Sequence, residues 1–182
     1  MGQSAKKIIY WLVGLGLIWL AIYGIYQAAK SGGGPLPGQF FPAQSRNHIN
    51  VGASHPDYNS NPPTGGWHYD NPVQTGIYDK ELPDEQSIHN LEHGHIWVSY
   101  RPDLPKDQQD KLADIAKRYG SRIIVAPRAK NDSPIALAAW QYLLKLDNID
   151  EVQINAFIKA HRNIAGPEKN IPDYGFKDFR NR

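Results

Sequence analysis

Residues 89 to 95 read HNLEHGH, so three of the chain's seven histidines, His89, His93 and His95, fall in one short stretch beside Glu92. Neutral imidazoles and a carboxylate form the ligand set of a borderline divalent metal ion. Histidines four apart share a face of a helical turn, whereas His95 joins them on one face only in extended backbone. Gly94 has the conformational freedom to break a helical turn into a strand, which would let all three rings converge. The sequence has no cysteine, and its one methionine is the first residue. A site here must therefore use nitrogen and oxygen, which suits zinc or copper and disfavours thiolate zinc, iron–sulfur and blue-copper chemistry.

His68, in GGWHY, is the expected fourth ligand or close neighbour, because the adjacent glycines allow close backbone approach. His48 and His55 rank below it. Glu92 can serve as a ligand, as a general base, or as the group that orients an imidazole. The competing reading ties these histidines and Glu92 into a hydrogen-bonded knot of an assembly module, without metal. A third follows from His89 to His93, which match the HxxEH pattern of inverted zinc peptidases. That pattern needs a long helix and a distant glutamate, for which Glu151 or Glu168 is available, yet Gly94 and a β-rich run follow at once.

The elements that must position these groups are partly legible. HIWVSY from 95 reads as a strand, and the run from Pro105 to Gly120 as a helix with Leu112, Ile115, Ala116 and Tyr119 on one face. RIIVA at 122–126 and PIALAAW at 134–140 are expected to pair as a hairpin. Asp150 with Gln153 resembles a capping box opening a last helix to about residue 163. On that helix His161 shares a face with Ile154, Phe157 and Ile158 and reads as a core histidine, and Trp97, Trp140 and Phe157 read as packing residues. The fold class is α+β, a two-layer α/β sandwich in which the loop-rich residues 48–88 wrap one end.

Residues 8–29 carry no charge and are long enough to cross a bilayer as a helix. Lys6 and Lys7 precede this stretch and Lys30 alone follows closely, which keeps residues 1–7 in the cytoplasm of a bacterial inner membrane. Residues 30–47 read as a Gly/Pro-rich linker, and residues 48–182 as a periplasmic or extracellular domain. The expected partners are the lipid bilayer and a membrane protein. A net charge of +2 without a basic stripe makes nucleic acid a poor partner.

PPTGGWH at 62–68, HNLEHGHIWVSY at 89–100 and residues 135–168 together resemble a bacterial family known as a domain of unknown function, whose members are typically single-span, membrane-anchored proteins. The resemblance places His68, His89, Glu92 and His93 at motif positions, and His95 extends the pattern. It implies an anchored domain and no particular activity. The expectation is thus an anchored domain that binds a copper or zinc ion through His89, His93, His68 and His95 with Glu92 in support, in metal handling or as an accessory to a membrane metalloenzyme.

Overall fold

The computed structural model describes residues 2–30, 35–173 and 175–180, and the chain divides into two units, Met1–Pro35 and Leu36–Arg182. The first holds helix α1, Gln3–Lys30. Among the described residues no helix is long and apolar enough to cross a membrane. The span expected over residues 8–29 includes side chains at 8, 9 and 25–29 that lie outside the description.

Strong runs of apolar residues build the second unit. IWVSY, IIVAP and IALAA form β5 (Ile96–Tyr100), β6 (Ile123–Pro127) and β7 (Ile135–Ala139), each buried at every position. Strands without a polar face must be covered on both sides. One side packs Ile96, Val98 and Tyr100 against α3 (Lys106–Tyr119) and α4 (Glu151–His161). The other packs Trp97, Ile124 and Ala136 against Ile88 and Leu91 of α2 (Asp84–Glu92), with Phe41, Ala43, Tyr58 and Val73 completing the cover. Helices therefore flank both faces, where a two-layer sandwich was expected. The loop-rich segment covers a face of the sheet instead of wrapping one end.

The remaining strands are β1 (Gln39–Phe40), β2 (His48–Ile49), β3 (His68–Tyr69), β4 (Gly76–Ile77), β8 (Tyr142–Leu146) and β9 (Lys177–Asp178). Seven of the nine form a mixed sheet in the order β1-β8-β7-β5-β6-β4-β9, and β2 and β3 pair separately. The expected hairpin between β6 and β7 does not form. Helix α3 carries the chain from β5 to a parallel β6, and β5 lies between β6 and β7. The hairpin is β7–β8, turning through Trp140 and Gln141, the latter at φ 67°.

The caps follow the sequence closely. Gly120 ends α3 at φ 66°, its N–H on the Ala116 carbonyl, and the Asp150 side chain accepts the Gln153 N–H at 3.0 Å to open α4. Trp97, Trp140 and Phe157 are buried as expected. So is His161, whose Nε2 donates to the Pro37 carbonyl at 2.8 Å while its ring stacks on Tyr142. That contact and the pairing of β1 with β8 fall in residues 36–47, so these residues belong to the folded unit and are not free linker.

Candidate metal centre

Two separate pieces of local structure meet at the histidines. Helix α2 ends at Glu92, His93 takes φ −80° and Gly94 takes φ 78°, after which the His95 N–H returns to the Asn90 carbonyl at 3.0 Å. This is the helix-to-strand break expected at Gly94. A Cβ there would lie 2.9 Å from the Ala165 carbonyl oxygen, so only glycine fits. The other piece is the parallel pair β2–β3, whose register sets His48 directly opposite His68. Their rings face His89 on α2.

His48, His68 and His89 each offer a ring nitrogen, and the three atoms lie within 4.8 Å of one another. The rings pack at centroid distances of 4.8 Å (His48–His68), 5.0 Å (His48–His89) and 5.1 Å (His68–His89). In every case Nδ1 has an oxygen partner. His68 Nδ1 donates to the Gly66 carbonyl at 2.7 Å, His89 Nδ1 donates to the Tyr69 carbonyl at 2.6 Å, and His48 Nδ1 lies 3.1 Å from Asp70 Oδ1. A ring whose Nδ1–H is committed to oxygen keeps its lone pair on Nε2, which is how ligand histidines are oriented in metal sites.

Glu92, 1% exposed, closes one side of this group. Its Oε2 lies 2.9 Å from His68 Nε2 and 4.0 Å from His48 Nε2, and its Oε1 accepts from Arg46 Nε at 2.7 Å. The approach of His68 Nε2 is off the hydrogen-bond axis, so this buried nitrogen has no hydrogen-bond partner. At that distance positive charge must lie between the nitrogen and the carboxylate oxygen, either a proton on Nε2 or a metal ion in its place. Burial pushes the Glu92 carboxyl up, but the close approach of His68 and Arg46 outweighs it and holds the group at about 2. Burial also lowers His89, which keeps its ring neutral and its Nε2 unprotonated near pH 7.

Of the four ligands expected from sequence, the structure brings His68 and His89 together and adds His48. Of the triad, His93 meets only His89, Nε2 to Nε2 at 3.0 Å, and it lies 3.6 Å from Glu168 Oε2. His95 turns away beyond Gly94, where Nδ1 accepts from Asn90 Nδ2 at 2.9 Å and Nε2 lies 3.8 Å from Asp173. His55 sits apart, on the Pro56 carbonyl and Glu85.

The peptidase arrangement lacks its frame. Helix α2 has nine residues and ends at Glu92, whose carboxyl near 2 makes a poor base. Glu151 pairs with Arg118 at 2.7 Å. Arg46 escaped sequence reasoning because it falls in a segment read as linker. It spans Glu92 and Glu168, the latter at 3.0 Å, and so ties the segment before β2 across the site.

Neither the curated proteins nor the solved structures contain a match to this chain. One family model does match, over residues 51–175, a stretch that holds His68, His89, Glu92, His93 and His95 and begins just after His48. With more than half of its length covered, the chain belongs to the family described as protein of unknown function (DUF3105).

Proposed function

We propose that this protein binds one divalent transition metal ion, zinc or copper, through Nε2 of His48, His68 and His89, with Glu92 beside it as a fourth ligand or a charge partner. The observation that carries this reading is the common commitment of the three Nδ1 atoms to oxygen, which aims three lone pairs at one space. Nitrogen and oxygen donors of this kind suit zinc and copper alike. A bound ion would supply the positive charge needed between His68 Nε2 and Glu92. Because the His48 side chain is 43% exposed, the site opens to solvent at that edge. An ion there can exchange with a partner, as metal handling or service to a membrane metalloenzyme requires.

In the same reading α1 anchors the domain to a bacterial inner membrane, with the domain on the periplasmic or outer side. Support comes from the uncharged residues 8–29, the bias of lysines before them, and the exposure of Trp11, Leu12, Leu15, Trp19 and Ile22 along the helix. Metal analysis and calorimetry of the full chain in detergent, purified without a histidine tag, test the metal. The expected result is one ion per chain, lost in His68→Ala and His89→Ala and retained in His161→Ala, which lowers stability only. Absence of uptake of either ion at micromolar concentration, on the order of −8 kcal/mol of binding free energy, would leave the hydrogen-bonded assembly module as the surviving account.

A further inference from the structure

The three imidazoles of the triad are not held alike. His68 and His89 are buried, and each fixes Nδ1 on a main-chain carbonyl, those of Gly66 and Tyr69. Both carbonyls belong to the segment around β3, which Tyr58 clamps by donating its hydroxyl to the Trp67 carbonyl at 2.7 Å. Neither ring can turn without leaving a buried acceptor empty, which is costly.

His48 has no such restraint. Its side chain is 43% exposed, and its Nδ1 lies 3.1 Å from the carboxylate of Asp70, a side chain that is itself 79% exposed. A contact so open to water holds its partner weakly. The ring lies flat on His89, with 5.0 Å between centroids and 12° between planes, so outward rotation slides one ring over the other. The backbone beneath can stay in place, because β2 is paired with β3 and the Tyr69 hydroxyl accepts the Gly52 N–H at 3.3 Å.

With the His48 ring turned out, His68, His89 and Glu92 still surround the space, Glu92 Oε2 being 2.9 Å from His68 Nε2. Two histidines and one carboxylate suffice to hold zinc with a further position open. Resting on the metal reading above, we propose that His48 is the exchange ligand of this site and Asp70 its positioning residue. His48 leaves first, a nitrogen or oxygen of the acceptor takes the vacated position, and the ion departs by that edge. One metal–nitrogen bond breaks as one bond to the acceptor forms, and the freed Nε2 lone pair passes to water. The ion keeps its oxidation state, and no electron or proton is required. By tethering Nδ1–H, Asp70 sets how often the ring turns.

Rapid mixing of the full chain in detergent, loaded with zinc or with copper if only copper binds, with the chromophoric chelator pyridylazoresorcinol tests this order of events. The transfer rate of the parent should rise with chelator concentration, because the chelator enters at the vacated position. Asp70→Ala should keep one ion per chain and transfer it about tenfold faster, the low end for a lost group that orients a ligand. Asp70→Asn, whose amide oxygen still accepts from Nδ1, should fall between Asp70→Ala and the parent. His48→Ala should also keep the ion at micromolar concentration, unlike His68→Ala and His89→Ala, and transfer it faster still. Circular dichroism confirms the fold of each variant. An ion bound by the parent but lost in folded His48→Ala would make the three histidines equal ligands, and parent-like rates in both His48→Ala and Asp70→Ala would place the exit elsewhere. Either result overturns this inference and leaves the metal reading standing, whereas a parent chain that takes up neither ion removes both.

Discussion

An imidazole becomes a ligand or a bystander according to what its second nitrogen does. His48, His68 and His89 commit Nδ1 to oxygen, whereas His93 points Nε2 at Nε2 of His89, 3.0 Å away. Since His89 Nδ1 donates to the Tyr69 carbonyl, the hydrogen between these two rings belongs to His93, and it occupies the lone pair a metal ion needs. An ion on His89 would displace it, and Glu168 Oε2, 3.6 Å from His93 Nε2, is the acceptor at hand. Removing His93 thus removes a competitor. His93→Ala should bind zinc as tightly as the parent or up to about fivefold more tightly, the worth of one net hydrogen bond, in competition against a chelator. A marked loss of affinity would make His93 a ligand, as its spacing from His89 suggests. The HNLEHGH run marked the right region, but spacing along one chain does not say which lone pair is free. His48 and Arg46 were less legible still, because their roles come from the pairing of β2 with β3 and from a strap that sequence alone reads as linker.

At the level of elements, the junction between α2 and β5 is the most constrained joint near the site. Gly94 needs φ 78°, and a Cβ would meet the Ala165 oxygen at 2.9 Å and Lys169 Cβ at 3.1 Å. From across the joint Gly166 packs so closely that its own Cβ would lie 2.5 Å from the Glu92 carbonyl oxygen. Gly120 provides the comparison, with φ 66° but nothing nearer than 3.8 Å. Gly120→Ala should therefore lower stability by about 1 kcal/mol, the left-handed backbone alone. Gly94→Ala should lower it by roughly twice that or more, backbone strain and collision together, and weaken metal uptake by shifting His89. Urea unfolding of the two variants checks the difference, and equal losses would mean that the joint yields easily. Local signals of this kind were readable in advance: Gly94 as a break, Gly120 as a stop, Asp150 with Gln153 as a cap. Sheet order was not. RIIVA and PIALAAW are adjacent in sequence and both apolar, yet the α3 crossover places β5 between them, a choice made by non-local packing.

For the whole molecule, the buried histidines set how stability responds to acid. Burial lowers His89, His93, His95 and His161, and for His95 it does so to about 3, although Asp173 opposes it. Each is neutral in the folded chain and takes a proton near pH 6.5 once unfolded. Their contribution is therefore complete above about pH 6.5 and is lost as the pH falls, for His95 down to about 3. Glu92 and Asp178, both held at about 2, act only at lower pH, where unfolded carboxylates begin to protonate and their share disappears toward 2. Between pH 7.5 and 5.5 the histidines alone should govern the slope. The apparent Tm of the metal-free chain should fall over that interval, and His95→Asn should flatten the fall. Zinc competes with protons for the lone pairs of His48, His68 and His89, so its stabilisation must also weaken in acid. At roughly a hundred times its Kd, zinc should add about 3 kcal/mol at pH 7.5, on the order of 5–10 °C in Tm for a domain of this size. At pH 5 that increment should be smaller, while in His95→Asn, whose ring faces Asn90 and not the triad, the increment at pH 7.5 should persist. A zinc effect equal at both pH values would mean that the ion sits on carboxylates elsewhere and that the three lone pairs are not its ligands.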